Sequence, residues 1–177
     1  MSKTQTSTLP IKGHDHIRGS IDAPFKLIEY GDYQCPYCGD AHEVIKQVQA
    51  RLGDQLCFVF RNFPLVEIHE HAEHAAEAAE SADAQGRFWE MHDLLFENQQ
   101  ALNDDDLGEY ATQLGLDARR LITEVRSHAH AARIKKDFLS GEQNGVNGTP
   151  TFFVNGEPFE DEPTAEALIA ALTERTE

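Results

Sequence analysis

The stretch Cys35-Pro36-Tyr37-Cys38 lies between Phe25-Lys26-Leu27-Ile28-Glu29-Tyr30, an apolar run that predicts a β-strand, and a helical stripe of apolar residues. The stripe recurs at the i, i+3, i+4, i+7 and i+11 spacing of a helix and consists of Ala41, Val44, Ile45, Val48 and Leu52. A strand-to-helix junction places the first thiol over the helix N-terminus, where unpaired backbone N–H groups and the helix dipole favour negative charge. Because the thiolate attacks in disulfide exchange, this order of elements predicts a reactive Cys35.

The composition indicates a globular protein with one core. The chain has 177 residues, of which 40% are hydrophobic and 26% are charged, enough for one domain with or without an insertion. Lys and Arg total 15 against 31 Asp and Glu, which gives a formal net charge of −16. This charge argues against nucleic acid and anionic membrane surfaces as partners, since both attract positive charge.

The N-terminal residues 1–13 are polar and contain no apolar signal-peptide core, and no run of about 18 apolar residues occurs in the chain. We therefore expect a flexible N-terminal segment over 1–13, a cytoplasmic location, no membrane partner and a monomer. The three cysteines are too few for a disulfide framework and suggest one working pair. The third, Cys57, is expected to be a core residue.

The order of predicted elements indicates a β-α-β unit, a helical insert and a β-β-α unit. Leu56-Cys57-Phe58-Val59-Phe60 reads as a central strand parallel to the first, joined to it by a right-handed crossover. Helical patterns then run from about Ile68 to Phe138, with breaks predicted at Gly86, Asn103–Asp106 and Gly115.

The C-terminal part predicts a hairpin followed by a helix. Strand Thr151-Phe152-Phe153-Val154 is followed by Asn155-Gly156, which favours a type I′ turn, and then by Glu157-Pro158-Phe159. The last helix begins near Thr164. The predicted fold class is α/β, with a mixed sheet.

Two features outside the cysteine motif add to a thioredoxin-like interpretation. Pro150 directly precedes a strand, and a cis Thr149–Pro150 bond would expose backbone groups of Thr149 for pairing with an extended substrate. Glu29 occupies a strand position where an apolar residue is expected. Buried there, its carboxyl group would have a raised pKa and would accept the proton of the second thiol.

With these motifs in place, the chain resembles the DsbA-like branch of the thioredoxin superfamily, in which a helical domain is inserted into a thioredoxin fold. The likeness extends from about Asp15 to the last helix. It is carried by Ile21-Asp22-Ala23-Pro24, Tyr30-Gly31-Asp32-Tyr33-Gln34-Cys35-Pro36-Tyr37-Cys38, Phe60-Arg61-Asn62-Phe63-Pro64-Leu65, Gln85-Gly86-Arg87-Phe88-Trp89-Glu90-Met91-His92-Asp93 and Gly148-Thr149-Pro150-Thr151-Phe152-Phe153-Val154-Asn155-Gly156.

The resemblance implies a thiol–disulfide oxidoreductase that acts on protein or peptide disulfides, exchanges electrons with a further redox partner and needs no cofactor or metal. It implies that Cys35 is the nucleophile, Cys38 the resolving thiol, Glu29 the buried acid and Pro150 the cis-proline. Substrate would contact Thr149, Pro150, Pro36 and Tyr37. The thioredoxin-fold domain would comprise residues 14–64 and 144–177, and the inserted helical domain residues 65–143.

Several alternatives remain open from the sequence. One alternative is that the cysteine pair forms half of a zinc site with His42 as a third ligand. A separate alternative is that Glu29 is a structural ion-pair partner and not a proton acceptor. His69, His71 and His74 are expected on a solvated helix surface. Phe88, Trp89 and Met91 are expected to pack in the core of the insert.

Two other functions compete with protein disulfide exchange. The Pro-Tyr dipeptide is compatible with a glutathione-linked, glutaredoxin-type reductase, although the acidic Glu160-Asp161-Glu162-Pro163 would repel a tripeptide with two carboxylates. The second is a client-binding holdase or adaptor in which the thiols are incidental. Whether the protein reduces, oxidises or isomerises depends on its reduction potential relative to the compartment.

Overall fold

The computed structural model describes residues 8–174 and contains a five-stranded mixed sheet with seven α-helices in that range. The strands are β1 (His16–Gly19), β2 (Phe25–Gly31), β3 (Leu56–Asn62), β4 (Thr151–Val154) and β5 (Glu157–Phe159). The helices are α1 (Pro36–Leu52), α2 (Ala72–Ala84), α3 (Phe88–Glu97), α4 (Asp104–Gln113), α5 (Ala118–Arg126), α6 (Ala131–Gln143) and α7 (Ala165–Thr173).

The sheet has the strand order β1-β3-β2-β4-β5. β2 and β3 are parallel and joined by α1, while β1 pairs antiparallel with β3, β4 with β2, and β5 with β4. The predicted α/β thioredoxin fold with its mixed sheet is confirmed. β1 was not predicted, because its four residues carry one aliphatic side chain, Ile17, and its position depends on backbone pairing with a strand about 40 residues away.

The turn between β4 and β5 has the two-residue geometry that its sequence indicates. Asn155 and Gly156 have φ angles of 50° and 85°, and Val154 pairs with Glu157. Positive φ at both central residues is the requirement of a type I′ turn, which matches the twist of a hairpin. The turn brings β5 back along the edge of the sheet.

Helices α2–α6 form the helical region between β3 and β4. Gly86 and Gly115 lie between helices with φ angles of 82° and 74°, at two of the predicted breaks. The predicted break at Asn103–Asp106 coincides with the boundary before α4, whose first residues include Asp104–Asp106. Asn103 accepts a hydrogen bond from the Asp106 N–H group and Asp106 accepts one from the Asn103 N–H group, so that the pair forms a capping box.

Two buried clusters cover the two faces of the sheet. Because side chains alternate along a strand, Leu27 and Glu29 of β2 point to one face, whereas Ile28 and Tyr30 point to the other. Leu27 belongs to the cluster that also contains Cys35 and Cys38 and that extends into the helical region. The period of β2 therefore directs Glu29 towards the face of the sheet on which the cysteines lie.

Part of the N-terminal segment packs against the sheet. Leu9 is buried, and its N–H group donates a 2.9 Å hydrogen bond to the Gly156 carbonyl. The Pro10 carbonyl accepts a hydrogen bond from Arg61 at 2.7 Å. Residues 1–7 of the segment expected to be flexible lie outside the described range. Within residues 8–174, no helix has the length and apolar character needed to cross a bilayer.

Candidate active site

Cys35 lies at the N-terminus of α1, four residues after the end of β2. It is the N-cap residue, with extended backbone angles (φ −67°, ψ 122°), and Pro36 occupies the first turn. The Cys35 carbonyl accepts hydrogen bonds from the N–H groups of Cys38 and Gly39, both at 3.1 Å. Cys35 is only 3% exposed, and all three cysteines are free thiols.

The two thiols of the motif have opposite pKa shifts. The hydrogen bond from the Cys38 thiol, partly opposed by burial, lowers the pKa of Cys35 from 9.0 to about 5, and backbone N–H groups of Tyr37 and Cys38 add to this effect. Burial, followed by the hydrogen bond to Cys35 and the charge of Glu29, raises the pKa of Cys38 well above its usual value. At neutral pH, Cys35 is therefore a thiolate and Cys38 a thiol.

Glu29 is a buried carboxyl group with an unsatisfied oxygen. The residue is 2% exposed, and its Oε1 has no hydrogen-bond partner in the described part of the chain. Burial, together with the charge of Cys35, raises the pKa of Glu29 from 4.5 to about 8. No Lys, Arg or His nitrogen within residues 8–174 lies within 4.0 Å of this carboxylate, so these residues supply no ion pair for it.

The loop before β4 lies against the first thiol. The Thr149–Pro150 peptide bond is cis, and the Thr149 carbonyl oxygen lies 3.6 Å from Cys35 Sγ. Thr149, Pro150 and Tyr37 line a groove of 680 Å³ between α1 and the start of α7. Tyr37 is 72% exposed, and Pro36 is also exposed. Three of the four residues expected to contact substrate, Tyr37, Thr149 and Pro150, thus line one groove, and Thr149 also contacts the Cys35 sulfur.

Gln99, between α3 and α4, is part of the site although nothing in the sequence indicates it. Its Nε2 group donates to the carbonyls of Tyr33 at 2.9 Å and Cys35 at 2.8 Å. A Cβ atom at Gly39 would collide with the Gln99 amide. The absence of a side chain at Gly39 therefore lets the helical region reach the backbone of the cysteine motif.

Asp32 holds the segment that follows β3 next to the motif. Its Oδ2 accepts a 2.9 Å hydrogen bond from the Leu65 N–H group and lies 2.8 Å from His69 Nδ1, while Oδ1 accepts one from Gln34. The expectation that His69 lies on a solvated helix surface is wrong, because the residue precedes α2 and is held by a buried carboxylate. Its partner is far away in the sequence, so the local pattern gave no sign of it.

The other histidines expected on a solvated surface have polar partners of their own. His71 is half-buried and precedes α2, and His74 within α2 lies 2.6 Å from Asp104. They do not converge with His69 on one site. The described residues contain three groups with metal-ligand spacing, namely His42-His92-Asp93, His14-Asp15-Asp137 and His16-Glu80-Asp83. None of these includes a cysteine, so His42 does not join Cys35 and Cys38 in a zinc site.

Cys57, Phe88 and Met91 are buried as expected, whereas Trp89 packs between the helical region and the sheet. Cys57 is fully buried in β3, on the face opposite the motif. Phe88 and Met91 are buried, and Trp89 packs partly buried against Phe58. Cys57 therefore has no place in the chemistry of the motif.

The chain matches the family model Thioredoxin_4, described as thioredoxin, over residues 12–174. The chain belongs to this family. Its fold is also that of BdbD from Bacillus subtilis (TM-score 0.83, 24% identity, 93% of this chain and 94% of that chain covered). A thioredoxin-like oxidoreductase from Silicibacter pomeroyi is similar (TM-score 0.79, 24% identity, 90% and 91% covered). At these identities, the structures show the fold alone.

A third structural match agrees with the predicted branch of the superfamily. The structure of alpha-DsbA1 from Wolbachia pipientis has a TM-score of 0.69 at 22% identity, with 82% of this chain and 76% of that chain covered. The family model thus shows a chain of the thioredoxin family, and its fold is the one shared by these DsbA-like structures.

Curated relatives of higher identity are much longer proteins. A Na⁺/H⁺ antiporter NhaA 1 from Mycobacterium sp. (strain KMS) is 45% identical over 160 residues, and one from Salinispora arenicola is 43% identical over 159. These alignments cover 89% and 90% of this chain but only 26% and 24% of the antiporters. The chain thus spans about a quarter of the length of these relatives.

Proposed function

We propose that this protein is a thiol–disulfide oxidoreductase of protein or peptide substrates, with Cys35 and Cys38 as its redox pair. The observation that carries the proposal is the contrast between the two thiols at the start of α1, since the pKa of Cys35 is lowered to about 5 and that of Cys38 is raised. One stable thiolate beside one retained proton is the arrangement that two-step disulfide exchange requires.

In the reducing direction, the Cys35 thiolate attacks one sulfur of a substrate disulfide. The substrate S–S bond breaks, and its other sulfur leaves as a thiolate that takes a proton. The Cys38 thiol then loses its proton and attacks Cys35 Sγ, which releases the second substrate thiolate. Two electrons pass from the enzyme dithiol to the substrate, and the enzyme is left with a Cys35–Cys38 disulfide. Oxidation of a substrate dithiol is the reverse sequence.

Glu29 is suited to receive the Cys38 proton. Its pKa of about 8 means that a fraction of the carboxyl groups is ionised at neutral pH, and burial makes it a stronger base than an exposed glutamate. Its charge contributes to the raised pKa of Cys38, so the two groups interact. In the proposed mechanism, Glu29 takes up the proton as Cys38 attacks and returns it when the motif is reduced again.

Exposed apolar side chains next to the motif favour a protein or peptide substrate. Val66 and Ile68 are 56% and 71% exposed, and their segment is bonded to Asp32 three residues before Cys35. Apolar surface of this kind is typical of interaction sites. We propose that extended or unfolded clients bind here, with the Thr149 backbone available for pairing. The cytoplasmic location and the monomeric state stay predictions.

The test is single-turnover reduction of a peptide disulfide by the reduced protein, followed by separation of the products. We expect Cys35→Ser to abolish product formation and Cys38→Ser to accumulate a mixed disulfide, because attack survives while resolution is lost. Cys57→Ala is the matched control and should exchange at the wild-type rate, since this thiol lies on the other face of the sheet.

Equal trapping by both motif variants would contradict the assigned roles. A holdase would bind unfolded clients equally well with Cys35→Ser and reduce none of their disulfides in the wild type. A glutathione-linked reductase would require glutathione for turnover and would act on glutathionylated peptides in preference to peptide disulfides. Each alternative therefore gives a result that the proposal does not.

A further inference from the structure

The groove beside Cys35 has a charge pattern as well as a shape. Its 680 Å³ adjoin Thr149 and Pro150, and its polar lining includes the carboxylates of Asp40, Glu162 and Glu166. Among residues 8–174, no Lys or Arg side chain lines it. We propose that this groove selects substrate segments in which Lys or Arg flanks the reacting cysteine, and that Asp40 and Glu162 are its specificity-determining residues.

Two of the three carboxylates are free to meet a ligand. Glu166 lies 3.1 Å from Arg51, which compensates its charge. Within residues 8–174, neither Asp40 nor Glu162 has an ion-pair partner within 4.0 Å or a side-chain hydrogen bond. Both are exposed. They come from different elements, Asp40 from α1 and Glu162 from the segment before α7, so a bound peptide would meet negative charge from two sides.

The position of these charges links them to the chemistry of the motif. Asp40 lies two residues after Cys38, and Glu162 lines the same groove as Pro150, whose neighbour Thr149 contacts the Cys35 sulfur. A peptide cysteine that reaches Cys35 therefore brings its flanking side chains into the groove. Complementary charge at such a place raises association rates and disfavours partners of like charge. This inference rests on the proposed function, because it names the substrates of the same site.

The experiment compares two cyclic peptide disulfides that are identical except for Lys or Glu on both sides of one cysteine. Each is mixed with the reduced wild-type protein, and the second-order rate constant of peptide reduction is measured at low ionic strength and in 1 M NaCl. We expect the Lys peptide to react about three- to tenfold faster at low ionic strength, the range that two exposed ion pairs supply. The preference should shrink in high salt, which screens exposed charges.

The flanking charges also alter the intrinsic reactivity of the peptides, and the net charge of −16 attracts any basic peptide. A pair of variants separates these effects from the groove. Asp40→Asn/Glu162→Gln removes the two groove charges, whereas Glu109→Gln/Glu142→Gln removes two exposed charges on α4 and α6. Both changes alter the net charge equally, and the same two peptides are used with each.

We expect the Lys-to-Glu rate ratio to fall at least about threefold in the groove variant and to stay at the wild-type value in the control variant. Equal ratios in the two variants, or no wild-type preference, would overturn the inference while leaving the proposed function intact. If neither peptide were reduced by the wild-type protein, the proposed function itself would fail and the inference with it. The outcomes are therefore distinguishable in one set of measurements.

Discussion

Two buried carboxyl groups on opposite faces of the sheet, those of Asp15 and Glu29, have pKa values shifted in opposite directions. Asp15 receives two hydrogen bonds from Arg61, at 2.9 Å and 2.8 Å, and one from the Lys12 N–H group at 2.7 Å. Although burial works to raise it, these bonds bring the pKa of Asp15 below its usual value. Glu29 has an oxygen that no group of residues 8–174 hydrogen-bonds, and its pKa rises to about 8. Burial alone therefore does not decide the charge of a carboxyl group; its partners do.

The difference separates a carboxylate that stabilises the fold from one whose pKa suits proton exchange. A paired and fully hydrogen-bonded Asp15 holds its negative charge over the whole physiological range and joins the N-terminal segment to β3. Glu29 keeps its proton up to a pH of about 8. In the proposed mechanism, exchange of a proton with Cys38 therefore costs little. Substitutions at the two sites should therefore act on different properties of the protein.

The largest effect on stability is expected from Asp15→Asn. The change leaves the Arg61 guanidinium buried without a counter-charge, and such a loss costs about 3–5 kcal/mol of unfolding free energy. Urea denaturation measures it. Arg51→Gln is the control, because its ion pair with Glu166 is exposed and should contribute at most about 1 kcal/mol. Equal losses in both variants would mean that Asp15 and Arg61 do not form the buried pair described above.

The pH dependence of stability should have opposite signs at the two sites. The folded pKa of Asp15 is lowered, so its contribution is present above the unfolded pKa and is lost as the pH falls through the folded value. The folded pKa of Glu29 is raised from 4.5 to about 8, so the folded protein binds the extra proton and loses stability as the pH rises across that interval.

Glu29→Gln should therefore stabilise the protein relative to wild type at pH 9, by about 2–4 kcal/mol, with a much smaller difference at pH 4. The measurement is the unfolding free energy of both proteins at the two pH values. A constant difference across the range would show that Glu29 does not titrate with a raised pKa in the folded protein.

The same variant should slow the second step of disulfide exchange. Without a proton acceptor, Cys38 loses its proton to water, and we expect mixed disulfide to persist about 10²-fold longer, at the lower end of what a positioned base contributes. Quenched-flow trapping of the intermediate measures this. Glu77→Gln is a suitable control, because Glu77 is also buried but lies in α2. A similar delay in both variants would point to a general loss of packing.

The smallest effect is expected from Gln99→Ala. Loss of two hydrogen bonds to the carbonyls of Tyr33 and Cys35 should cost about 1–2 kcal/mol of stability. It should also shift the pH midpoint of Cys35 alkylation, because the loop that presents the thiolate loses an anchor. Gln100→Ala, which changes the exposed neighbour, is the control. An unchanged midpoint in Gln99→Ala would confine this residue to a packing role.

The sequence was informative wherever function depends on neighbours in the chain. Helix periodicity, the junction before Cys35 and the turn residues at Asn155-Gly156 are local, and they predict the fold class and the lowered pKa of Cys35. The burial of Glu29 could be predicted for the same reason, since strand alternation places this acidic residue at a position where an apolar one is expected.

Features that depend on distant partners were not predicted. β1 exists through its pairing with β3, Asp15 is held by Arg61 from 46 residues away, and Gln99 reaches Cys35 from 64 residues away. Nothing in the local pattern of any of these residues distinguishes a buried partner from a solvated polar group. The expectation for His69 is wrong for this reason, because its hydrogen-bond partner Asp32 follows β2 and lies 37 residues away in the sequence.

The hydrogen bonds of Gln99 join the helical region to the backbone of the cysteine motif. In the proposed mechanism, the Cys35 carbonyl that Gln99 holds belongs to the residue that changes between thiolate and disulfide sulfur during each cycle. A ligand of the helical region that bound one redox state more tightly than the other would shift the redox equilibrium of the cysteines. By thermodynamic reciprocity, oxidation of the pair then changes the affinity for that ligand by the same factor. If a client binds one redox state more tightly than the other, this coupling alone makes its binding and release follow the redox state of the cysteines.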